Sequence, residues 1–383
     1  MKCLLDKDVL TIYLEGELNS ANADAREKEI LADVEGKTFT RLVLDFSLLS
    51  YISSAGLRVV LKLKQKFGDV VINEASLEVY DVLSMTGFTN IMEVNKALNR
   101  ISLDGAEVIG SGYFSTVYRI NKDTIIKVFN RVSDSKQIER ELKLSKEAFV
   151  LGIPTAISFD VVKVEDKLGV RFEMLDCESL SQAFARRPDQ YDALLDKYVG
   201  LLKKINTTEC LDPEIPDIKQ YFIQKLEKIR PLLEDKYYKK AKGMLEGIPD
   251  VDTLVHGDCH FKNIMLQQDE LLLIDMDTLS KGHPIFELAA IRAPYISFEE
   301  DDPGNSERFL GMPAEFLAKL YYDVLREYFG KEDKTIADKI EIVTAIHMLW
   351  WNEVNSPEVS ARRDGNRKRL VALLDRYDDL NIG

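Results

Sequence analysis

Residues 255–279 read VHGDCHFKNIMLQQDELLLIDMDTL, and no other stretch limits the fold and chemistry of this chain so tightly. His256-Gly257-Asp258 is followed five positions later by Asn263, and Asp275 follows the apolar run 271–274. A loop that leads into a buried strand and out again brings groups distant in sequence to one place. Phosphoryl transfer needs such a set. One carboxylate orients and deprotonates an attacking hydroxyl, while an amide oxygen and a second carboxylate hold Mg²⁺ on the β- and γ-phosphates. Asp258 suits the first task, and Asn263 with Asp275 the second. A zinc site made of His256, Asp258, Cys259 and His260 is disfavoured, because ligands of one zinc ion are usually separated by gaps of about two to five residues.

Upstream, residues 105–128 read GAEVIGSGYFSTVYRINKDTIIKV. Two apolar, strand-like segments flank a tight turn containing Gly110, Ser111, Gly112 and Ser115. Such a turn lets backbone N–H groups approach a polyphosphate without side-chain obstruction. No Gly-Lys-Ser/Thr follows, so it is not a Walker A loop. Lys127 lies among Ile125, Ile126 and Val128, where an ammonium is costly unless an anion meets it. A strand lysine of this kind grips the α- and β-phosphates and pairs with a helix glutamate. The helix expected over 137–151 offers Glu139, Glu141 and Glu147.

Taken in order, the glycine-rich turn, the strand lysine, the HGD…N loop and the IDMD strand resemble the aminoglycoside phosphotransferase and choline kinase superfamily over residues 103–383. The resemblance implies an ATP-dependent phosphotransferase with Mg²⁺ and a small-molecule hydroxyl acceptor. It implies a bilobal, protein-kinase-like fold: a small sheet-containing lobe over 103–175 and a helical large lobe over 176–383. Asp258 becomes the catalytic base, and Asn263 and Asp275 the metal ligands. Glu141 is the lysine's partner, chosen for its distance to Ile153-Pro154. Asp277 matches the second acid of the family motif, a further metal or substrate contact, and Glu287 stands where the family usually has an Asp on the substrate side. Residues 171–175 resemble the hinge strand, so Glu173 and Leu175 would meet adenine through their backbone.

The acceptor pocket is less sharply marked. The acidic run 299–302 and Trp350-Trp351 could cradle a cationic amine or choline-like head group. Equally, the run could be a solvated loop and one indole part of the core, since neighbouring residues do not share a helix face.

The first hundred residues have a different grammar, alternating strands and helices. Residues 9–14 and 41–46 read as strands, and Ser53-Ser54-Ala55-Gly56 opens a helix with Leu57, Val60, Leu61 and Phe67 at helical spacing. Val71-Ile72 reads as a strand, Val79, Val82 and Leu83 as a helix with Gly87 as its C-cap, and Ile91, Met92 and Val94 as a last strand. LVLDFSLLSYISSAGLRVVL and VYDVLSMTGFTNIMEV resemble the STAS domain of anti-sigma factor antagonists. That resemblance implies a regulatory α/β domain over 1–102, with a mixed sheet, that docks a protein partner. Ser54 takes the place of the family's phosphorylated serine, although Ser53 replaces the usual Asp and Ala55 the second hydroxyl. The bare residues leave two readings open: a phosphorylation site, or a pair of ordinary helix caps.

The net charge of −14 argues against nucleic acid, which needs a basic face, and against anionic membranes. Four scattered cysteines without a C-x-x-C pair suggest neither a disulfide framework nor a zinc knuckle. The N-terminus lacks the apolar core of a secretory signal, and a cytoplasmic protein is expected. Two other readings stand beside the small-molecule kinase: a signalling protein whose kinase-like domain phosphorylates Ser54 or a partner, and a nucleotide-binding scaffold.

Overall fold

The computed structural model describes residues 2–112, 115–130, 135–355 and 360–383. The chain divides into two compact units, Met1–Ser102 and Leu103–Gly383. In the first unit β1 (Lys2–Asp6), β2 (Val9–Leu18), β3 (Arg41–Ile52), β4 (Val70–Ala75) and β5 (Glu93–Lys96) form one sheet in chain order. The β1–β2 pair is antiparallel and the other three pairs are parallel. The parallel strands are joined by α1 (Ala23–Val34), α2 (Ser54–Phe67) and α3 (Leu77–Met85), as parallel pairing requires of its crossovers. Alternation along β2 puts Leu10, Ile12 and Leu14 into a core shared with Leu44 and Phe46 of β3 and Val60 and Leu63 of α2.

Three local expectations change. β2 and β3 run on to Leu18 and Ile52, because Leu49 and Ile52 stay buried while the β2–β3 register shifts twice to keep them inward. Ile91 and Met92 do not belong to the last strand. They follow a 3₁₀ turn over Phe88–Asn90, with only Met92 buried. Gly87, at φ +80°, sits just past the α3 cap Thr86 and donates its N–H to the Ser84 carbonyl.

The second unit begins after a two-residue strand, β6 (Asn99–Arg100). Its strands β7 (Glu107–Ser111), β8 (Ser115–Arg119), β9 (Thr124–Phe129), β10 (Ser158–Val164) and β11 (Lys167–Glu173) lie in the order β10-β11-β9-β8-β7, with antiparallel neighbours. Helix α4 (Ser135–Val150) covers this sheet with a stripe of Ile138, Glu141, Leu144, Ser145 and Ala148.

The remainder is mainly helical. It holds α5 (Leu180–Arg186), α6 (Tyr191–Thr207), α7 (Ile218–Ile229), α8 (Asp235–Glu246) and α9 (Ile285–Arg292). After these come α10 (Phe298–Asp301), α11 (Asn305–Leu310), α12 (Ala314–Phe329), α13 (Lys334–Asn355) and α14 (Ser360–Leu374). Two small sheets are set among the helices. One joins β12 (Glu178–Ser179), β14 (Ile264–Gln267) and β15 (Glu270–Leu273); the other joins β13 (Leu254–Val255) and β16 (Ser280–Lys281). Among the described residues, no helix is long and apolar enough to cross a membrane.

Candidate active site

The hairpin β14–β15 explains how the sequence motif becomes a site. Asn263 ends the turn that enters β14, and β15 returns antiparallel, so that Ile264 pairs with Leu273. The Ile274 N–H then donates to the Asn263 carbonyl at 2.9 Å. β15 stops at Leu273, one residue sooner than expected, and Asp275 adopts φ +67°. That conformation is rare for a residue with a side chain, and it turns the carboxylate out of the strand direction.

Lys127 reaches this turn from β9. Its Nζ lies 2.7 Å from Asp275 Oδ1 and 2.8 Å from Glu141 Oε1. Burial works against the ammonium, but Asp275 and Glu141 outweigh it and raise its pKa. Glu139 and Glu147 of the same helix have no such position: Glu141 alone of the three lies on the buried stripe of α4. The sequence choice rests on its distance to Ile153-Pro154; the buried stripe is what places it.

Asp258 faces the same space. Asn263 Nδ2 donates to both its backbone carbonyl and its Oδ2, each at 2.9 Å, and His260 Nε2 stands 3.5 Å from Oδ1. The side chain keeps 45% of its surface open. Crowding by protein atoms, followed by the charges of Asp277 and Asp275, holds its carboxyl well above the usual range. Burial and Asp275 push Asp277 up to about 7. Asp258, Asp275 and Asp277 thus form an acid group whose charges raise one another, with Lys127 paired to Asp275.

The loop beneath is braced from behind. His256 is fully buried; its Nδ1 accepts the Asp258 N–H at 3.2 Å, and its Nε2–H donates to the Ile274 carbonyl at 3.3 Å. Burial lowers its pKa to about 4, so the ring is neutral. Gly257 has φ +79°, and a Cβ there would approach the Thr278 carbonyl at 3.2 Å, so this position needs glycine. Cys259 is also fully buried, its carbonyl accepting the Tyr198 hydroxyl at 2.8 Å.

Glu287 requires a correction. It is fully buried on α9, and its carboxylate accepts the N–H of His256 at 2.6 Å and of Gly257 at 3.2 Å. Its work is to hold the loop that carries Asp258.

The glycine-rich segment forms the β7–β8 hairpin. The Gly112 N–H donates to the Ser115 carbonyl at 2.8 Å, and Gly110 pairs with Val117. Tyr113 and Phe114 lie outside the described residues. A Cβ at Gly110 or Gly112 would meet only ordinary contacts, at 3.7 Å, so the hairpin itself does not demand glycine there. At the end of β11, the Glu173 N–H donates to the Ile157 carbonyl at 2.9 Å, and its carboxylate accepts the Ile157 N–H at 2.7 Å. Leu175 follows beyond the end of β11.

The acidic run and the tryptophans depart from the amine-binding expectation. Glu299 accepts the N–H groups of Gly304 and Ser306, and Glu300 pairs with Arg369. Asp301 accepts from Asn352 and Asn366, and Asp302 pairs with Arg308. The run is neither a solvated loop nor a row of free acids. The face of Trp350 is occupied by the chain's own Lys225, whose Nζ is 4.8 Å from the ring centroid.

A small sheet lobe, an acid-lined loop and a buried lysine–glutamate pair define a kinase-like phosphotransferase. Comparison with known proteins agrees. The phosphotransferase enzyme family model matches residues 105–308, and the STAS domain model matches residues 5–101. The chain belongs to the phosphotransferase enzyme family and carries an N-terminal STAS domain. The first unit is 44% identical over 100 residues to BtrV of Bordetella bronchiseptica, a candidate anti-sigma factor antagonist; the match covers 24% of this chain and 85% of BtrV. Among solved structures, a choline/ethanolamine kinase family protein from Mesorhizobium loti is 16% identical, with a TM-score of 0.48 over 70% of this chain and 88% of that one. The ADP-bound aminoglycoside phosphotransferase APH(2'')-Ib is also 16% identical, with a TM-score of 0.48 over 78% of this chain and 99% of its own.

Proposed function

We propose that the second unit transfers the γ-phosphoryl group of ATP to a hydroxyl of a small molecule. The observation that carries this is the meeting of Lys127, Glu141 and Asp275, drawn from β9, α4 and the turn after β15. It is the arrangement a kinase site needs before nucleotide binds. Asp258, half open beside it, is the base for the acceptor hydroxyl. The hairpin over Gly110, Ser111, Gly112 and Ser115 would cover the phosphates, consistent with glycines that the hairpin itself does not require. At the hinge the Glu173 N–H is already used, so contact with adenine there falls to the Glu173 carbonyl and the Leu175 backbone.

The donor set fits Mg²⁺. With Nδ2 committed to Asp258, the amide oxygen of Asn263 is the atom left for a cation. Asp275 and Asp277 crowd each other enough to lift the Asp277 carboxyl, a repulsion that a divalent cation relieves. Two or three protein oxygens suffice, because Mg²⁺ in kinase sites takes the rest from phosphates and water. Bound there, the ion would neutralise charge developing on the β- and γ-phosphates. The test is ADP release from Mg·ATP by the full chain with a panel of hydroxyl compounds. Acceptor-dependent release supports the reading. ATP turnover that no small hydroxyl stimulates, with phosphate appearing on protein, would replace it with the signalling reading.

The STAS unit is proposed as a protein-docking module. Ser53 accepts from the N–H groups of Ala55 and Gly56, so it does the capping and leaves Ser54 exposed at the first position of α2. A phosphate there would be tolerated by the helix N-terminus and would add a charge of about −1.5 to −2 to the docking face.

A further inference from the structure

The two oxygens of the Asp258 carboxylate face different neighbours. Oδ2 takes the amide of Asn263, on the side of Lys127 and Asp275. Oδ1 faces His260 Nε2 at 3.5 Å. His260 Nδ1 accepts the Lys262 N–H at 3.2 Å, so the ring proton sits on Nε2 and points toward the carboxylate. The Phe309 ring of α11 stands across the same imidazole, with centroids 5.2 Å apart and planes at 78°. Lys262 Nζ lies 4.8 Å from the Phe309 centroid. Asp258 and Lys262 thus flank one His260–Phe309 pair.

Lys262 is exposed, and among the described residues no carboxylate pairs with it. An exposed lysine usually extends its ammonium into water; this one folds it over a ring beside the base. Phe309 is half-buried, and Phe298 and Trp351, also half-buried, continue the aromatic surface at centroid spacings of 6.1 and 6.3 Å. The carboxylates of this region are spent or turned aside. Glu299 holds backbone N–H groups, Glu300 and Asp302 hold arginines, and Asp301 holds Asn352 and Asn366. Glu307 lies two positions before Phe309, and such neighbours do not share a helix face. The open charge on the Oδ1 side is therefore positive, opposite to what an amine pocket needs.

We propose that Lys262 and Phe309 form an acceptor subsite, and that the acceptor is a hydroxyl compound carrying an anionic group, a carboxylate or a phosphate monoester. The anion meets the Lys262 ammonium, the carbon skeleton lies on the Phe309 ring, and the hydroxyl reaches Asp258 at Oδ1. Asp258 takes the hydroxyl proton as the hydroxyl oxygen bonds to the γ-phosphorus of ATP and the bond to the departing ADP breaks. Lys262 repels a cationic head group from the same place. The proposal rests on the phosphotransferase reading and names its substrate class.

Calorimetry on the full chain tests it, with Mg²⁺ and the β,γ-imido analogue of ATP bound throughout. The probes are gluconate against glucitol, glycerol 3-phosphate against glycerol, and choline as the cation. Saturable binding is expected of an anionic probe and not of its neutral counterpart or of choline; which anion binds separates carboxylate from phosphate. Lys262→Met should weaken that binding roughly ten- to a hundredfold, as loss of a charged hydrogen bond does, and Lys262→Arg should restore part of it. Phe309→Ala should weaken it roughly three- to tenfold, as loss of a ring contact does. Unchanged affinity for the ATP analogue in these variants shows that the fold persists and that Lys262 does not serve the nucleotide. Neutral or cationic probes bound as tightly as the anions, anion binding unaltered in Lys262→Met, or no binding of either anion overturns the subsite. Analogue affinity that falls in Lys262→Met and returns in Lys262→Arg assigns the lysine to the nucleotide and overturns it too. ADP release from Mg·ATP on the same probes separates the two ideas. Turnover of neutral or cationic acceptors alone sinks the subsite and keeps the phosphotransferase; Lys262-dependent anion binding without any turnover does the reverse.

Discussion

Glu287 has its carboxylate on two N–H groups of the turn 256–258, and burial pushes its carboxyl up to about 7. The consequence for stability has a definite sign. Between 4.5 and about 7 the folded state holds a proton that the unfolded state has released, so stability falls as pH rises through that window and is flat above it. The shift corresponds to roughly 3 kcal/mol. Glu287→Gln should reduce this slope, read as the difference between urea midpoints at pH 5 and pH 8 for the variant and its parent, the remainder coming from Asp258 and Asp277. An unchanged slope would mean that another group is responsible. The sequence could not assign this role. It showed an acid near the substrate-side motif, but not that the side chain turns inward to the loop backbone. Lys127 and Asp275 were more legible, since an ammonium in an apolar strand demands a buried anion, whereas only its distance to Ile153-Pro154 singles Glu141 out of three glutamates.

At the scale of elements, α2 separates two serines that the sequence offered together as helix caps. The Ser53 side chain is used as the cap, while Ser54 points to solvent at the next position. Ser53→Ala should cost about 1 kcal/mol, the usual worth of an N-cap, and Ser54→Ala should cost almost nothing, both measured by thermal unfolding. Intact mass after incubation of the full chain with Mg·ATP, alone or with a partner kinase, tests the modification: an added phosphate lost in Ser54→Ala supports it, and an added phosphate retained in Ser54→Ala places it elsewhere. Gly56 follows, where a Cβ would come within 2.5 Å of the Leu18 carbonyl, so α2 can lie this close to β2 only with glycine there. The strand ends were less readable. Nothing in the hydrophobic pattern marks the two register shifts that let β3 continue to Ile52.

Across the whole molecule, the motif order 110–112, 127, 258–263 and 275 was enough to indicate a kinase-like fold, because each element needs the others to meet one nucleotide. The acceptor side was not readable in the same way. Trp350 and the acids 299–302 have the composition of an amine pocket, and only three-dimensional placement reveals that Lys225 fills the aromatic faces and that the acids are spent. The central claim is a division of labour in which Lys127 holds the nucleotide and Asp258 acts on the acceptor. Nucleotide affinity by calorimetry, set beside ADP release for Lys127→Ala and Asp258→Asn, tests it most directly. Asp258→Asn should bind Mg·ATP within about threefold of the parent while turnover falls by roughly 10²–10⁴, and Lys127→Ala should lose about ten- to a hundredfold in affinity. Full turnover by Asp258→Asn, or unaltered affinity in Lys127→Ala, would contradict the account.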